Sequence, residues 1–323
     1  MPKPRKSTIN TSVTSFYHCI SRCVRRAYLC GQDPISGENY EHRRQWVQDR
    51  ILELTRIFAI EVCSFAVMSN HIHVVLSVDT EACASWSMQD VLLRWSKLFK
   101  GHPWVQAYLA EEELDAYQLD SILSLSETYR ARLQDISWFM RTLNEPIARQ
   151  ANKEDKCTGR FWEGRFKCQP LLDEAAVLSC MAYVDLNPVR AEIATRVEES
   201  DHTSIQMRIR AALQGQQPQA LMKFSAEQET SKLNFNLKDY LELVDATGRV
   251  IREDKAGAIQ PHETKLLTKL NLSEKQWLHL SKSFESTFKG AVGKVSSLES
   301  FCEHQCYKKR VGLTASQAYL EAS

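Results

Sequence analysis

The chain has 323 residues, 43% of them hydrophobic and 25% charged, and a formal net charge of +1. That length buries at least one large core, leaves room for two domains, and excludes a chain that is polybasic as a whole. No apolar run approaches the ~18 residues of a membrane span.

The basic start, Met1-Pro-Lys-Pro-Arg-Lys6, leads into Ser/Thr-rich sequence without the apolar core of a signal peptide. A cytoplasmic protein is therefore expected, with its ten cysteines mostly reduced. Charge is uneven. Residues 1–60 hold ten Lys/Arg against five Asp/Glu, and Arg141 to Lys167 hold seven against four. Such local basic faces suit phosphates, or are ordinary solvated surface.

Residues 14–30 alternate as a strand ending in a basic turn. Gly31 to Asn39 is turn-rich, and residues 42–58 carry apolar positions at helical spacing. Strands are expected from Ala59 to Met68 and from His71 to Val78, with Ser69-Asn70 as the turn. A helix is expected over 88–100. Residues 101–128 show no assignable role. A helix over 130–151 contains Pro146, which should bend or split it. Residues 159–170 mix aromatic and basic side chains in strand-like order. Asp173 to Asn187 reads as a helix with its acids in the first turn, ended by Pro188. A linker at 214–219 separates a first domain, 1–213, from a mostly helical region, 214–323. Cys302-Glu-His-Gln-Cys306 offers three zinc-type side chains without a second pair, and is not read as a zinc site, since structural zinc normally takes four protein ligands.

The chemistry concentrates at two places. On a strand, residues i and i+2 share a face, so His71 and His73 point the same way while Ile72 points into a core. Two imidazoles on rigid backbone make half of a metal site. On a helix, i and i+4 share a face, which pairs Tyr183 with Asn187. Tyr183 is either a phosphodiester nucleophile or a buried tyrosine. Asn187 is either a metal ligand or a helix cap.

Met68-Ser-Asn-His-Ile-His73, Gly159-Arg-Phe-Trp-Glu-Gly-Arg-Phe-Lys167 and Tyr183-Val-Asp-Leu-Asn-Pro-Val-Arg-Ala191, in this order, resemble the single-tyrosine HUH transposases, closest to the REP-associated tyrosine transposases. The resemblance covers roughly residues 14–205. Ser69 departs from it, where relatives often carry proline in the turn. It implies an α+β fold with a central antiparallel sheet flanked by helices, the HUH/RRM-like nuclease core. It implies single-stranded DNA beside an imperfect hairpin as substrate, and a divalent metal, Mg2+ or Mn2+, on His71, His73 and Asn187. Attack by Tyr183 would leave a 5′-phosphotyrosine and a free 3′-hydroxyl. One tyrosine then serves cleavage and transfer in turn, or two protomers of a homodimer cooperate.

For DNA contact the candidates are Arg22, Arg25, Arg26, Arg160, Arg165, Lys167 and Arg190. Trp162 and Phe161 either stack on bases or pack in the sheet core. Arg190 reaches a phosphate or caps a helix end. Two other readings compete with strand transfer. One is a domesticated hairpin-DNA-binding protein without turnover. The other is a hydrolase that activates water on His71 and His73 and needs no tyrosine.

Overall fold

The computed structural model describes residues 8–24, 29–33, 37–227, 232–252, 259–260, 264–305 and 312–321. Four strands, β1 (Phe16–Arg22), β2 (Ile60–Val67), β3 (His71–Val78) and β4 (Lys167–Leu171), form one sheet in the order β2-β3-β1-β4. Every pairing is antiparallel. Helices cover both faces, so the expected α+β class with a central antiparallel sheet is the one observed.

The period of two in β3 sorts its side chains between two cores. Ile72, Val74 and Leu76 join the cluster under α1 (Arg43–Thr55), α3 (Met88–Ser96), α5 (Ala116–Leu133) and α6 (Ile136–Glu154). Val75 joins the opposite cluster, under α7 (Glu174–Asp185), α10 (Leu237–Ile251), α11 (Lys265–Leu270) and α12 (Glu274–Thr287). His71 and His73 belong to this second face by the same alternation. That core draws on both sides of the expected boundary near 213, with Met181 and Tyr183 from one side and Leu243, Trp277 and Phe284 from the other. No described helix is long and apolar enough to cross a membrane.

The β2–β3 turn is pinned. Met68 N–H donates to the His71 carbonyl (2.9 Å), and the Ser69 and Asn70 carbonyls accept from Cys30 N–H (3.0 Å) and Cys23 N–H (2.9 Å). The turn that launches His71 is thereby held by the chain following β1, and serine in place of proline is accommodated.

Several expected elements differ in extent. The strand expected over 14–30 ends at Arg22. The strand-like stretch over 159–170 pairs regularly only from Lys167 onward, preceded by an isolated bridge between Trp162 and Cys23. Residues 101–128 contain α4 (Pro103–Leu109) and most of α5, whose start is a capping box of Asp115 and Gln118. The helix expected over 130–151 is two helices, because Asp135 accepts from Ser137 and Trp138 N–H groups and starts α6 there.

Pro146 does not split α6. It removes the N–H that would bond the Thr142 carbonyl, and Arg50 Nε from α1 donates to that oxygen instead (3.0 Å).

Pro188 does interrupt the next helix. α7 ends at Asp185 because Pro188 has no N–H for the Val184 carbonyl. Asn187 does not close that helix, as its spacing suggested. It opens a new single turn, α8 (Asn187–Arg190). The end of α7 is anchored by buried Asp185. Its carboxylate accepts from Ser64 Oγ (3.0 Å), Ser204 Oγ (2.5 Å) and Tyr240 Oη (2.6 Å), which ties it to β2, α9 (Ser204–Ala212) and α10.

Candidate functional site

Sheet register decides which side chains share the face beneath α7. Across β1 and β3, Arg22 lies opposite His71 and Ile20 opposite His73. His18, two residues along, is the diagonal neighbour of His73, and its Nε2 lies 2.9 Å from His73 Nδ1. Across β1 and β4, Gln169 lies opposite His18 and Lys167 opposite Ile20. A third histidine therefore joins the predicted pair. Its sequence signal was its place in an alternating strand, and nothing local linked it to residues 71–73.

Tyr183 is brought to this histidine face. Its ring centre is 5.8 Å from that of His73, edge to face, and 6.4 Å from that of His18. Phe284 of α12 covers both, 5.9 Å from the Tyr183 ring and 6.4 Å from His18. Tyr183 is 7% exposed and His73 fully buried. Burial pushes the Tyr183 phenol above its ordinary pKa, and the adjacent Arg190 opposes that shift. Burial lowers His18 and His71 to about 4 and holds His73 well below the usual range. All three rings are neutral at pH 7, the form that carries a lone pair for a metal.

Arg190 connects Tyr183 to Asn187. Its Nη2 donates to Asn187 Oδ1 (2.6 Å) and to the Tyr183 carbonyl (3.2 Å), and its Nη1 donates to the Lys282 carbonyl (2.7 Å). That last acceptor adjoins a break in α12 at Ser283, which has non-helical φ −131° and ψ 18°. Arg190 thus bonds a carbonyl of α7 and one beside the break in α12.

The donor set suits a divalent ion in part. His71 Nδ1 lies 2.6 Å from Asn70 Oδ1, an acceptor, so the ring proton sits on Nδ1 and Nε2 keeps its lone pair. His73 Nε2 is buried without a hydrogen-bond partner. Those two nitrogens are the natural ligands. Asn187 Oδ1 already accepts from Arg190, and its Nδ2 is buried without a partner. Among the described residues no three His, Cys, Asp or Glu side chains converge as a metal site. An ion here would rest on two imidazoles and amide or phosphate oxygens.

One carboxylate acts on the cluster. Glu285, beside Phe284 on α12, forms an ion pair with Lys167 (2.9 Å) and interacts electrostatically with His18, His71, Tyr183 and Arg190. Burial pushes its pKa up, but the Lys167 pair together with His18 and Arg22 leaves it below the ordinary value. Phe284 and Glu285 lie about a hundred residues beyond Tyr183, with no motif to announce them.

Of the remaining predicted DNA contacts, Arg22 and Lys167 hold register positions on this face, opposite His71 and Ile20, whereas Phe161 and Trp162 pack with the core on the other side of the sheet. Arg22, Arg160, Arg165 and Lys167 are exposed. Arg25 and Arg26 lie outside the described residues. Trp162 is half-buried and donates its indole N–H to the Asn144 carbonyl (2.8 Å). Phe161 is a core residue.

The chain has a solved structural counterpart. It is described as a REP-associated tyrosine transposase bound to a REP hairpin, and the similarity covers 72% of this chain and 97% of that one. Sequence identity is 13% and the TM-score 0.38. No family model matches the chain, and no curated protein matches it.

Proposed function

We propose that the chain nicks and rejoins single-stranded DNA beside hairpins, with Tyr183 as nucleophile and a divalent metal, Mg2+ or Mn2+, held by His71, His73 and Asn187. The observation that carries the reading is the seat of the Tyr183 ring, 5.8 Å from His73, on a helix that shares no sequence neighbourhood with β3. The three motifs that resemble HUH transposases supply the substrate class. Residues 1–213 would form the catalytic domain, with 214–323 closing over it. Nine described cysteines are free thiols, in keeping with a cytoplasmic protein.

When bound, the metal supplies charge neutralisation and polarisation at the scissile phosphate. The chain's own groups do the rest. Tyr183 Oη attacks phosphorus, the P–O3′ bond breaks, and a 5′-phosphotyrosine forms. The phenol loses one proton and the departing 3′-oxygen gains one, so the step balances. The new ester keeps the energy of the broken bond, and attack by a 3′-hydroxyl reverses the step. Arg190 holds positive charge against the phenol as it ionises. Arg22, Arg160, Arg165 and Lys167 supply cations for the strand, with Arg25 and Arg26 as further candidates, and Trp162 a ring for an unpaired base.

A second reading, a hairpin-DNA-binding protein without turnover, draws support from the closure of the site. Phe284 covers Tyr183, and Arg190 occupies Asn187 Oδ1. The deciding experiment is covalent capture. Wild type and Tyr183→Phe are incubated with labelled single-stranded hairpin DNA and Mg2+, Mn2+ or EDTA, then run on denaturing gels. The expected result is a metal-dependent adduct absent from the variant. Binding with no adduct supports the second reading. Cleavage that survives the substitution supports water activation on the histidines.

A further inference from the structure

We propose that His18 is a positioning residue for His73: it accepts the Nδ1 proton of His73 and so leaves His73 Nε2 bare and aimed as a ligand. The inference rests on the proposed metal-dependent reading of the same site.

A row of polar side chains, His73, His18 and Gln169, crosses three strands and reaches the C-terminal region. Gln169 Nε2 donates to the Phe288 carbonyl (3.1 Å) and to the Gly290 carbonyl (2.7 Å). Both amide protons are thereby committed, and Gln169 is left with an acceptor oxygen. Gln169 sits directly opposite His18 in the β1–β4 register and favours a proton on the His18 ring, although no full hydrogen bond closes on Nδ1. The neutral His18 ring has one proton, and this neighbour draws it to Nδ1. His18 Nε2 is then an acceptor.

His18 Nε2 and His73 Nδ1 are 2.9 Å apart, both buried. With His18 accepting, the single proton of neutral His73 lies on Nδ1. The reverse arrangement puts an N–H on His73 Nε2 and leaves a bare His18 Nδ1 beside the Gln169 acceptor oxygen; neither outer nitrogen closes a hydrogen bond, so the Gln169 oxygen opposite His18 makes the difference. The two predicted metal-binding histidines then carry the same tautomer by different means, His71 through Asn70 and His73 through His18. Ligating histidines commonly need such an outer partner, and its loss weakens metal binding by about 10–100-fold.

The test uses the full chain labelled with 15N-histidine, without metal, and reads the protonated ring nitrogen by NMR. Wild type should show the His73 proton on Nδ1. His18→Phe keeps ring bulk but cannot accept, so His73 should lose its single tautomer. Mn2+ affinity, read by electron paramagnetic resonance, should fall by about 10–100-fold. His18→Gln retains an acceptor oxygen and should keep both properties near wild type. A His73 proton on Nε2 in the wild type overturns the proposal, as does an unchanged tautomer and Mn2+ affinity in His18→Phe. If His18→Phe does not fold, the wild-type tautomer and the His18→Gln comparison still decide. The proposed reaction fails separately, by absence of a Mn2+-dependent Tyr183 adduct, and leaves the metal-free tautomer result standing.

Discussion

The guanidinium carbon of Arg190 lies 3.8 Å from the centre of the Tyr183 ring, while the same group bonds the carbonyls of Tyr183 and Lys282. One cation thus joins the nucleophile candidate, the turn that carries Asn187 and the helix that covers the site. Arg190→Ala should reduce adduct formation at least tenfold, since about 1.4 kcal/mol of lost electrostatic support gives that factor. It should also cost about 1–2 kcal/mol of stability from lost charged hydrogen bonds. Arg190→Lys keeps the charge but not the fork, and should fall between. Adduct rate and urea midpoint, measured on the same preparations, check both parts. An Arg190→Ala variant with wild-type adduct rate would remove Arg190 from the proposed chemistry.

Phe284 is fully buried between Tyr183, His18 and Phe288. Truncation to alanine should cost about 3–5 kcal/mol through lost burial and the cavity left behind. Tyr183 should at the same time become accessible to iodination. A destabilised variant whose Tyr183 stays as protected as in the wild type would show that other groups close the site.

Glu61 on β2 carries a pH dependence unrelated to the site. Burial, with Asp79 nearby, raises its carboxyl to about 7. Between about pH 4.5 and 7 the folded chain keeps a proton that the unfolded chain has lost. Stability therefore falls as pH rises through that window. Glu61→Gln abolishes this loss. Its denaturation midpoint should match wild type near pH 4 and exceed it at pH 8. Equal midpoints at both pH values would contradict the assignment.

Arg50 and Pro146 form a compensating pair. Arg50→Met leaves the Thr142 carbonyl without the Arg50 donor and should cost about 1 kcal/mol. Adding Pro146→Ala supplies the missing helical N–H and should recover most of that loss. A double-mutant cycle of urea melts measures the coupling, and additive effects would mean that Arg50 acts elsewhere.

What the sequence determined by itself was local. Alternation placed His71 and His73 on one strand face and Ile72 on the other, because the strand repeat is two residues. The helical repeat marked α7 with Tyr183, and a missing proline N–H marked its end. Asp115 and Gln118 were a legible start signal for α5, masked by the mixed polarity of the residues that follow.

Tertiary structure decided everything that depends on neighbours distant in the chain. Register across β1 set His18 beside His73 and Gln169 beside His18. Docking of α12 brought Phe284 and Glu285 to Tyr183 and Lys167. The distant partner of Arg190, the Lys282 carbonyl, lies beside a break in α12. Propensity and periodicity act over one or two turns of chain. Strand register and helix docking are set by burial of whole faces, and that is where the third histidine and the cover over the tyrosine arise.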